Sequence, residues 1–404
     1  MKAIPTETLT RIGTVLGVAL VILALVFMLA FGPLGVGRSG PINFDGFYWY
    51  AAGVCWLEGT NPYVLENLIG AMGEQKPLKN FPVYHFFYPP QIAPLSMAVA
   101  VLPYGVAKWV SVALNSAMAL VLGCLLAWVA RQQSRAHAPL GRNFSTALAA
   151  TLGIGAPFCA HIIWMGQTSL IACVSITTSY LLYRNGSKVV AGGLLGLASF
   201  KPQLAFLAGL WMLLEREWRL LAVAALTSLA MCAWPMVTDG IIGAPRAWMA
   251  AVQHHDQVLP NQLGWKHIVG LRNFLFVAGL PAPNLVPLGV LAALLVWWKR
   301  HTFTAFERFA VIMAATIVFT NAHDYDLIAI LPLLVCLWLR VEDQPALWLP
   351  AAFTVLALMV PQRLVDELNV PILSQWRVVL VIAVAASIVA MAFRSSKIHR
   401  TASA

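Results

Sequence analysis

A chain of 404 residues that is 60 % hydrophobic and 10 % charged, with a mean hydropathy of +0.77, cannot be a soluble globular protein. Its backbone must satisfy its own polar groups inside lipid, and its apolar runs are long rather than alternating, so helices are expected rather than a closed barrel. The net charge of +10 does not point to nucleic acid, because the basic residues cluster in short connections, as the positive-inside rule demands. The six cysteines are scattered with no Cys-x-x-Cys pair, which argues against a disulfide framework or a metal site.

In chain order, Ile12 to Leu34 comes first. It is too long for a signal-peptide core and has no Ala-x-Ala cleavage site, so it reads as an uncleaved first span. Lys2 and Arg11 hold its start on the cytoplasmic side, and it delivers "INFDGFYWY" (Ile42 to Tyr50) to the outer face. Residues 35–88 then form an outer loop packed over the bundle, whose Pro, Gly and aromatic content predicts short interfacial helices. The stretch 91–103 is short and reads as interfacial or re-entrant.

Full spans are expected near 106–130, 144–162, 168–183, 220–238, 284–298, 304–320, 326–340, 346–361 and 376–393. The cytoplasmic clusters between them are Arg131/Arg135/Arg142, Arg184/Lys188, Arg216/Arg219, Lys299/Arg300/Arg308, Arg340 and the tail Arg394/Lys397/Arg400. Two apolar pieces, 189–200 and 203–214, meet at Lys201-Pro202. Each is about 18 Å long, short of a ~30 Å hydrocarbon core, so the two are expected to rise and return as a pair. The expected fold is all-α: a single polytopic transmembrane helical bundle over 1–404, with about twelve segments and both termini cytoplasmic. It would sit in the cytoplasmic (inner) membrane as a multi-pass protein.

This topology collects the unusual polar residues on the extracytoplasmic face: Asp45, Glu58, Tyr88, His161, Gln167, Asp239, Asn261, Lys266 and "HDYD" (His323 to Asp326). Lys201 points the same way from within the bilayer. Asp45 is either the N-cap of an interfacial helix or a general base at the water–lipid boundary. As a base it is expected to keep an ordinary carboxylate pKa, near ~3.9. The aromatics beside it, Tyr48 among them, would stack on a sugar or anchor the loop in headgroups. A lysine at such a depth costs roughly 2.5–3.5 kcal/mol, and Lys201 suits a lipid-borne phosphate better than it suits snorkelling. His323 is a donor to phosphate or an orienter of Asp45, with Asp326 capping the next helix. "QHHDQ" (Gln253 to Gln257) reads as a solvated loop, because adjacent histidines face different ways. "FFYPPQ" (Phe86 to Gln91) starts a helix with its prolines, and Gln167 in "WMGQTS" (Trp164 to Ser169) is placed to bind a hydroxyl.

Asp45 with "GTNPY" (Gly59 to Tyr63), "FYPP" (Phe87 to Pro90), "GQTSL" (Gly166 to Leu170), "GGLLGLASFKPQ" (Gly192 to Gln203) and "HDYDL" (His323 to Leu327) resembles glycosyltransferase family 87, within the GT-C superfamily. The characterised members include polyprenol-phosphate-mannose-dependent mannosyltransferases. The resemblance implies Asp45 as catalytic base and Lys201 and His323 as the holders of a donor phosphate. Independently of the resemblance, Tyr48, Tyr88, Gln167 and Asn261 are the expected sugar or acceptor contacts. The resemblance also implies a polyprenyl-phosphate-linked sugar donor, a lipid or glycan acceptor, membrane lipids as surroundings, and neither metal nor other cofactor. The loop "QHHDQVLPNQLGWK" (Gln253 to Lys266) is individual and is expected to bear on acceptor choice. The competing class is a transporter or flippase, which also uses broken helices and intramembrane lysines. No convincing internal repeat supports it.

Overall fold

A computed structural model describes residues 6–73, 83–134, 140–342 and 344–402; Lys2 and Arg135 lie outside them. Helices make up 78 % of the described residues, which decides helices over a barrel. The first half comprises α1 (Thr6–Phe31), α2 (Phe44–Leu57), α3 (Leu65–Met72), α4 (Ala93–Ala100), α5 (Tyr104–Gln133), α6 (Gly141–Gly155), α7 (Pro157–Met165), α8 (Ser169–Arg184), α9 (Lys188–Leu197) and α10 (Pro202–Leu214). The second half adds α11 (Trp218–Met231), α12 (Ala233–Asp239), α13 (Gly243–Gln253), α14 (Leu271–Val277), α15 (Val286–Trp298) and α16 (Ala305–Phe319). It ends with α17 (Leu331–Val341), α18 (Trp348–Met359), α19 (Gln362–Asp366) and α20 (Trp376–Ala402). Among the described residues the strands are one two-residue pair, β1 (Ile268–Val269) against β2 (Ala322–His323), antiparallel.

Among the described residues four stretches are long and apolar enough to cross a membrane: Glu7–Phe31, Tyr104–Gln133, Gly141–Met165 and Pro371–Arg394. The pair α11–α12, bent by 46°, makes a fifth if it is taken as one span. Shorter apolar helices lie at 188–200, 202–214, 286–298 and 348–359. Helices do fall on the apolar stretches read from sequence, α8 and α16 among them, although most are shorter than a crossing needs, and one stretch differs. The stretch expected as a span from 326 opens as a 3₁₀ helix, Asp324–Ile330, and becomes α-helical only at α17. Pro332 at the start of α17 marks the change, since it has no N–H to continue the earlier ladder.

The core is built from α8, α16 and α17, which are buried on nearly every face. Tyr180 stacks on Phe309 at 4.4 Å, with Trp211 and Phe306 closing the cluster. The longer apolar helices α1 and α20 lie outside it, exposing Val15, Val18, Leu23 and Val379 where lipid would be. Thr14 meets Asn143 and Ala24 meets Gly155, so α1 and α6 run parallel.

The short pair α9–α10 does rise and return. Lys188 at the start of α9 and Glu217 just before α11 form an ion pair at 2.7 Å, so both ends of the excursion lie together. Along α9, Gly192 packs on Leu220 and Gly196 on Ala224, while Ser199 bonds Ser228 at 2.8 Å. That register makes α9 and α11 parallel, so α10 must run back between them in the chain. Lys201, at the tip, is therefore carried to the end opposite Lys188. The Lys188 end also holds Arg308 near Glu215 (3.6 Å), Arg340 paired with Glu307, and buried Glu342 bonded to Ser134 and Ser145. Lys188, Arg308 and Arg340 thus lie at one end of the bundle, and Lys201 is carried to the other.

A Cβ at Gly196 would fall 2.5 Å from the Ala224 carbonyl oxygen, whereas one at Gly209 in α10 meets nothing within 4 Å. Gly196→Val is expected to destabilise by roughly 1–3 kcal/mol through overpacking, and Gly209→Ala to stabilise by about 0.5–1 kcal/mol. Thermal unfolding midpoints in detergent check the pair. Equal midpoints would contradict the close parallel packing of α9 on α11.

Candidate active site at one end of the bundle

The site begins with a lock between the linker before α2 and the turn between α7 and α8. Asn43 is 2 % exposed with φ 65°, and its N–H donates to the Trp164 carbonyl at 2.7 Å. Its carbonyl accepts from Phe47 N–H at 3.0 Å and the Tyr104 hydroxyl at 3.4 Å. Its Oδ1 lies where a Cβ on Gly46 or Gly166 would come within 2.1 or 2.0 Å, so both positions require glycine. Gly166, at φ 72°, also ends α7, and its carbonyl accepts the Trp49 indole N–H at 2.9 Å.

This lock sets the first turn of α2 against the α7–α8 turn, with Asp45 beside Gln167. Most of the aromatic run around Asp45 packs inside the protein rather than against headgroups. Phe47 and Trp49 are each 1 % exposed and Tyr50 is 8 % exposed, packed under α4 and α5. Phe44 and Tyr48 stay half-buried, the Tyr48 hydroxyl accepting from Tyr84 N–H at 3.5 Å. Asp45 is not the N-cap either, a position held by Asn43; its carboxylate points to Gln167.

The Gln167 amide is the hub. Its Nε2 donates to Asp45 Oδ2 at 2.5 Å, and its Oε1 accepts from the Tyr88 hydroxyl at 2.7 Å and Lys201 Nζ at 3.3 Å. Lys201, 4 % exposed, lies 3.6 Å from Asp326 Oδ1 and faces the rings of Tyr88 (5.5 Å) and Tyr325 (5.0 Å). Asp326 is fully buried, accepting Ser169 Oγ at 2.6 Å and the His323 N–H at 3.2 Å. The His323 ring in turn accepts the Asp326 backbone N–H and stacks on Tyr325 at 5.1 Å. A continuous chain of contacts therefore joins Asp45, Gln167, Lys201, Asp326 and His323.

Burial raises the Asp45 pKa to about 6, against the smaller opposing pull of the Gln167 hydrogen bond and Lys201. The ordinary value expected from sequence is thereby corrected: local sequence did not show that α2 would be enclosed. Burial, aided by Lys201 and His255, lowers His323 to about 4 despite the two aspartates beside it. The ring is then neutral near pH 7. Because one ring nitrogen accepts the Asp326 N–H, the other must carry the proton and can donate it.

Glu58, the alternative carboxylate, is exposed at the far end of α2, about 20 Å along the helix from Asp45 at 1.5 Å per residue. Asn261 sits in the 3₁₀ turn Leu259–Asn261; among the described residues no hydrogen bond joins it to the Gln167 network. The QHHDQ segment is only partly solvated: His254 stacks on His85 at 4.7 Å and His255 packs edge-on to Phe87. Asp324 is tied to His267 at 3.0 Å and faces away from Asp45's partners. Sequence reasoning missed Ser169 and the ion-pairing of Asp326. Ser169 opens α8 within a noticed motif, and Asp326 does contribute a cap hydrogen bond, the role that concealed the other.

No curated protein and no solved structure matches the chain. A family-wide sequence profile, glycosyltransferase family 87, matches residues 86–322. That range holds Tyr88, Gln167, Lys201 and Asn261, stops one residue short of His323 and leaves Asp45 outside. It covers more than half of a chain whose helices are apolar enough to enter a membrane, and so this membrane-integrated glycosyltransferase belongs to glycosyltransferase family 87.

Proposed function

We propose that the chain transfers a hexose, mannose first among candidates, from a polyprenyl-phosphate donor to a hydroxyl of a lipid or glycan acceptor, with inversion. The reading takes the 1–404 chain as one transmembrane domain of about twelve segments, both termini cytoplasmic and the Asp45 end extracytoplasmic. The observation that carries it is the 2.5 Å contact of Gln167 with Asp45, through an amide that also bonds Tyr88 and Lys201. Asp45 is oriented by Gln167 beside cationic and neutral donors, while the other carboxylate of the cluster, Asp326, is engaged by Lys201 and Ser169 and so is not placed as a second acid or base.

In this mechanism the acceptor O–H attacks the anomeric carbon as its proton passes to Asp45. The bond from that carbon to phosphate oxygen breaks, and polyprenyl phosphate leaves with one more negative charge. Lys201 has three N–H groups, engaged so far by Gln167 and Asp326; the third is available to the leaving oxygen, as is the free His323 N–H. Tyr48, Tyr88, Gln167 and Asn261 are the proposed sugar and acceptor contacts. Donors already oriented in a low-dielectric site stabilise developing charge most.

Asp45 accepts a proton only when ionised, so kcat/KM is expected to fall tenfold per pH unit below about 6. Gln167→Leu removes a hydrogen bond that holds this pKa down, and the acid limb should move upward. Asp45→Asn should cut transfer about 10²–10⁴-fold while donor binding survives. Retained transfer by Asp45→Asn would remove the base from this mechanism.

Lys201→Ala alone would strand the buried Asp326 charge and cost roughly 3–5 kcal/mol of stability. The paired Lys201→Met, Asp326→Asn variant leaves no unpaired charge. It is expected to keep a thermal midpoint near that of the parent yet lose transfer about 10²–10³-fold. A stable, active pair would confine Lys201 to structure.

The orientation is checked by Thr60→Cys in intact cells. Reaction with a membrane-impermeant maleimide is expected, and reaction only after permeabilisation would overturn the extracytoplasmic placement.

A further inference from the structure

Asp324 and Asp326 lie two residues apart on the same 3₁₀ helix but belong to different surroundings. Asp326 joins the Lys201 network; Asp324 faces a second cluster, of histidines and arginines, that transfer chemistry at Asp45 does not use. His267 Nδ1 lies 3.0 Å from Asp324 Oδ2 and His161 Nδ1 lies 3.6 Å from Oδ1. Arg38 and Arg377 face the same carboxylate from further away. Burial would raise Asp324, but His161, His267 and Arg377 together hold it well below the usual carboxylate range, so it stays ionised.

Three guanidiniums in this region lack an ion-pair partner within 4.0 Å among the described residues. Arg38, in the linker before α2, rests over the Trp164 ring at 5.4 Å. Arg363, in α19, donates to the carbonyl of Gly37 at 2.8 Å, the residue next to Arg38. Arg377, at the start of α20, is 3 % exposed, lies over Phe158 and Trp376 at 5.3 Å each, and donates one N–H to the Val360 carbonyl at 2.6 Å. Its Nε is buried with no hydrogen-bond partner. The nearby Asp366 is already held by Lys266 at 2.9 Å and Gln362 at 3.0 Å, and Glu367 is exposed. Cations therefore outnumber carboxylates here, and the like charges of Arg38 and Arg363 are held close.

We propose that Arg38, Arg363 and Arg377 form a binding site for the phosphate group of a lipid, beside the Asp45 site and distinct from it. Arg38 and Arg377 are steadied on aromatic rings and Arg363 on the Gly37 carbonyl, and guanidiniums present paired N–H groups that match phosphate oxygens. An anion between them relieves the repulsion and gives the buried Arg377 Nε an acceptor. Lipid is favoured as the carrier because Leu34, Val36, Leu364 and Leu368 are exposed apolar side chains on the same two segments as Arg38 and Arg363. A headgroup phosphate on the arginines would leave its chains against that apolar rim.

Thermal unfolding of the purified full-length protein in neutral detergent tests this without requiring transfer. The titrants are dioleoyl phosphatidylglycerol, dioleoylglycerol (the same chains without phosphate) and inorganic phosphate. Phosphatidylglycerol is expected to raise the midpoint and dioleoylglycerol to leave it unchanged. Arg38→Gln and Arg363→Gln avoid disturbing buried Arg377, and each should demand at least tenfold more phosphatidylglycerol for the half-maximal shift. If inorganic phosphate gives an equal, arginine-dependent shift, the phosphate site stands and its ligand is free phosphate. A shift that dioleoylglycerol reproduces, or that both variants retain at parent concentration, overturns the proposal. Because the readout is binding, a failed transfer assay would leave this result untouched, and the reverse holds too.

Discussion

A buried carboxylate and a buried lysine placed near each other would ordinarily collapse into a direct ion pair. Here the Gln167 amide stands between them, its N–H toward Asp45 and its oxygen toward Lys201. The consequence is electrostatic. Direct contact with the ammonium would favour the ionised carboxylate strongly and weaken it as a base. With the amide interposed, burial dominates and Asp45 settles near 6, while Lys201 balances its charge against Asp326 instead. A single neutral side chain thus lets two opposite charges share a low-dielectric site without cancelling each other's chemistry.

The backbone has to deliver each participant to that point. Asp45 arrives because Asn43 fits only against glycine at 46 and 166, which fixes the register of α2 on the α7–α8 turn. Lys201 arrives because α9 and α10 are each too short to cross alone and make their excursion as a pair, with Gly192 and Gly196 allowing α9 to close on α11. The two devices are independent, and they converge on Gln167 from opposite sides. Aromatic packing of Trp49, Phe47 and Tyr104 stiffens the first; the Lys188–Glu217 pair pins the foot of the second.

What could be read from the sequence follows from how far each signal reaches along the chain. Helix existence and the pairing of 189–200 with 203–214 depend on local apolar length, and both were legible. The Asp45 pKa was not, since enclosure of α2 depends on α4, α5 and the α7–α8 turn folding over it. The aromatics around Asp45 misled for the same reason, because a Tyr- and Trp-rich stretch looks alike whether it meets headgroups or protein. Asp326 was half-legible: its cap hydrogen bond to His323 is local, but its ion pair with Lys201 spans more than a hundred residues.

The segment from His323 to Asp326 shows how one short stretch serves two environments. His323 is the extended N-cap of the 3₁₀ helix, and it and Asp326 exchange hydrogen bonds as a capping box. Within the helix Asp324 is turned roughly a third of a revolution away from Asp326, and it meets His161, His267 and the arginines instead. Tyr325 separates the two, 5.0 Å from the Lys201 ammonium and 6.1 Å, edge-on, from the His161 ring. The reciprocal hydrogen bonds of this cap hold Asp326 within the Gln167 network, while the His267 contact holds Asp324 among the histidines and arginines.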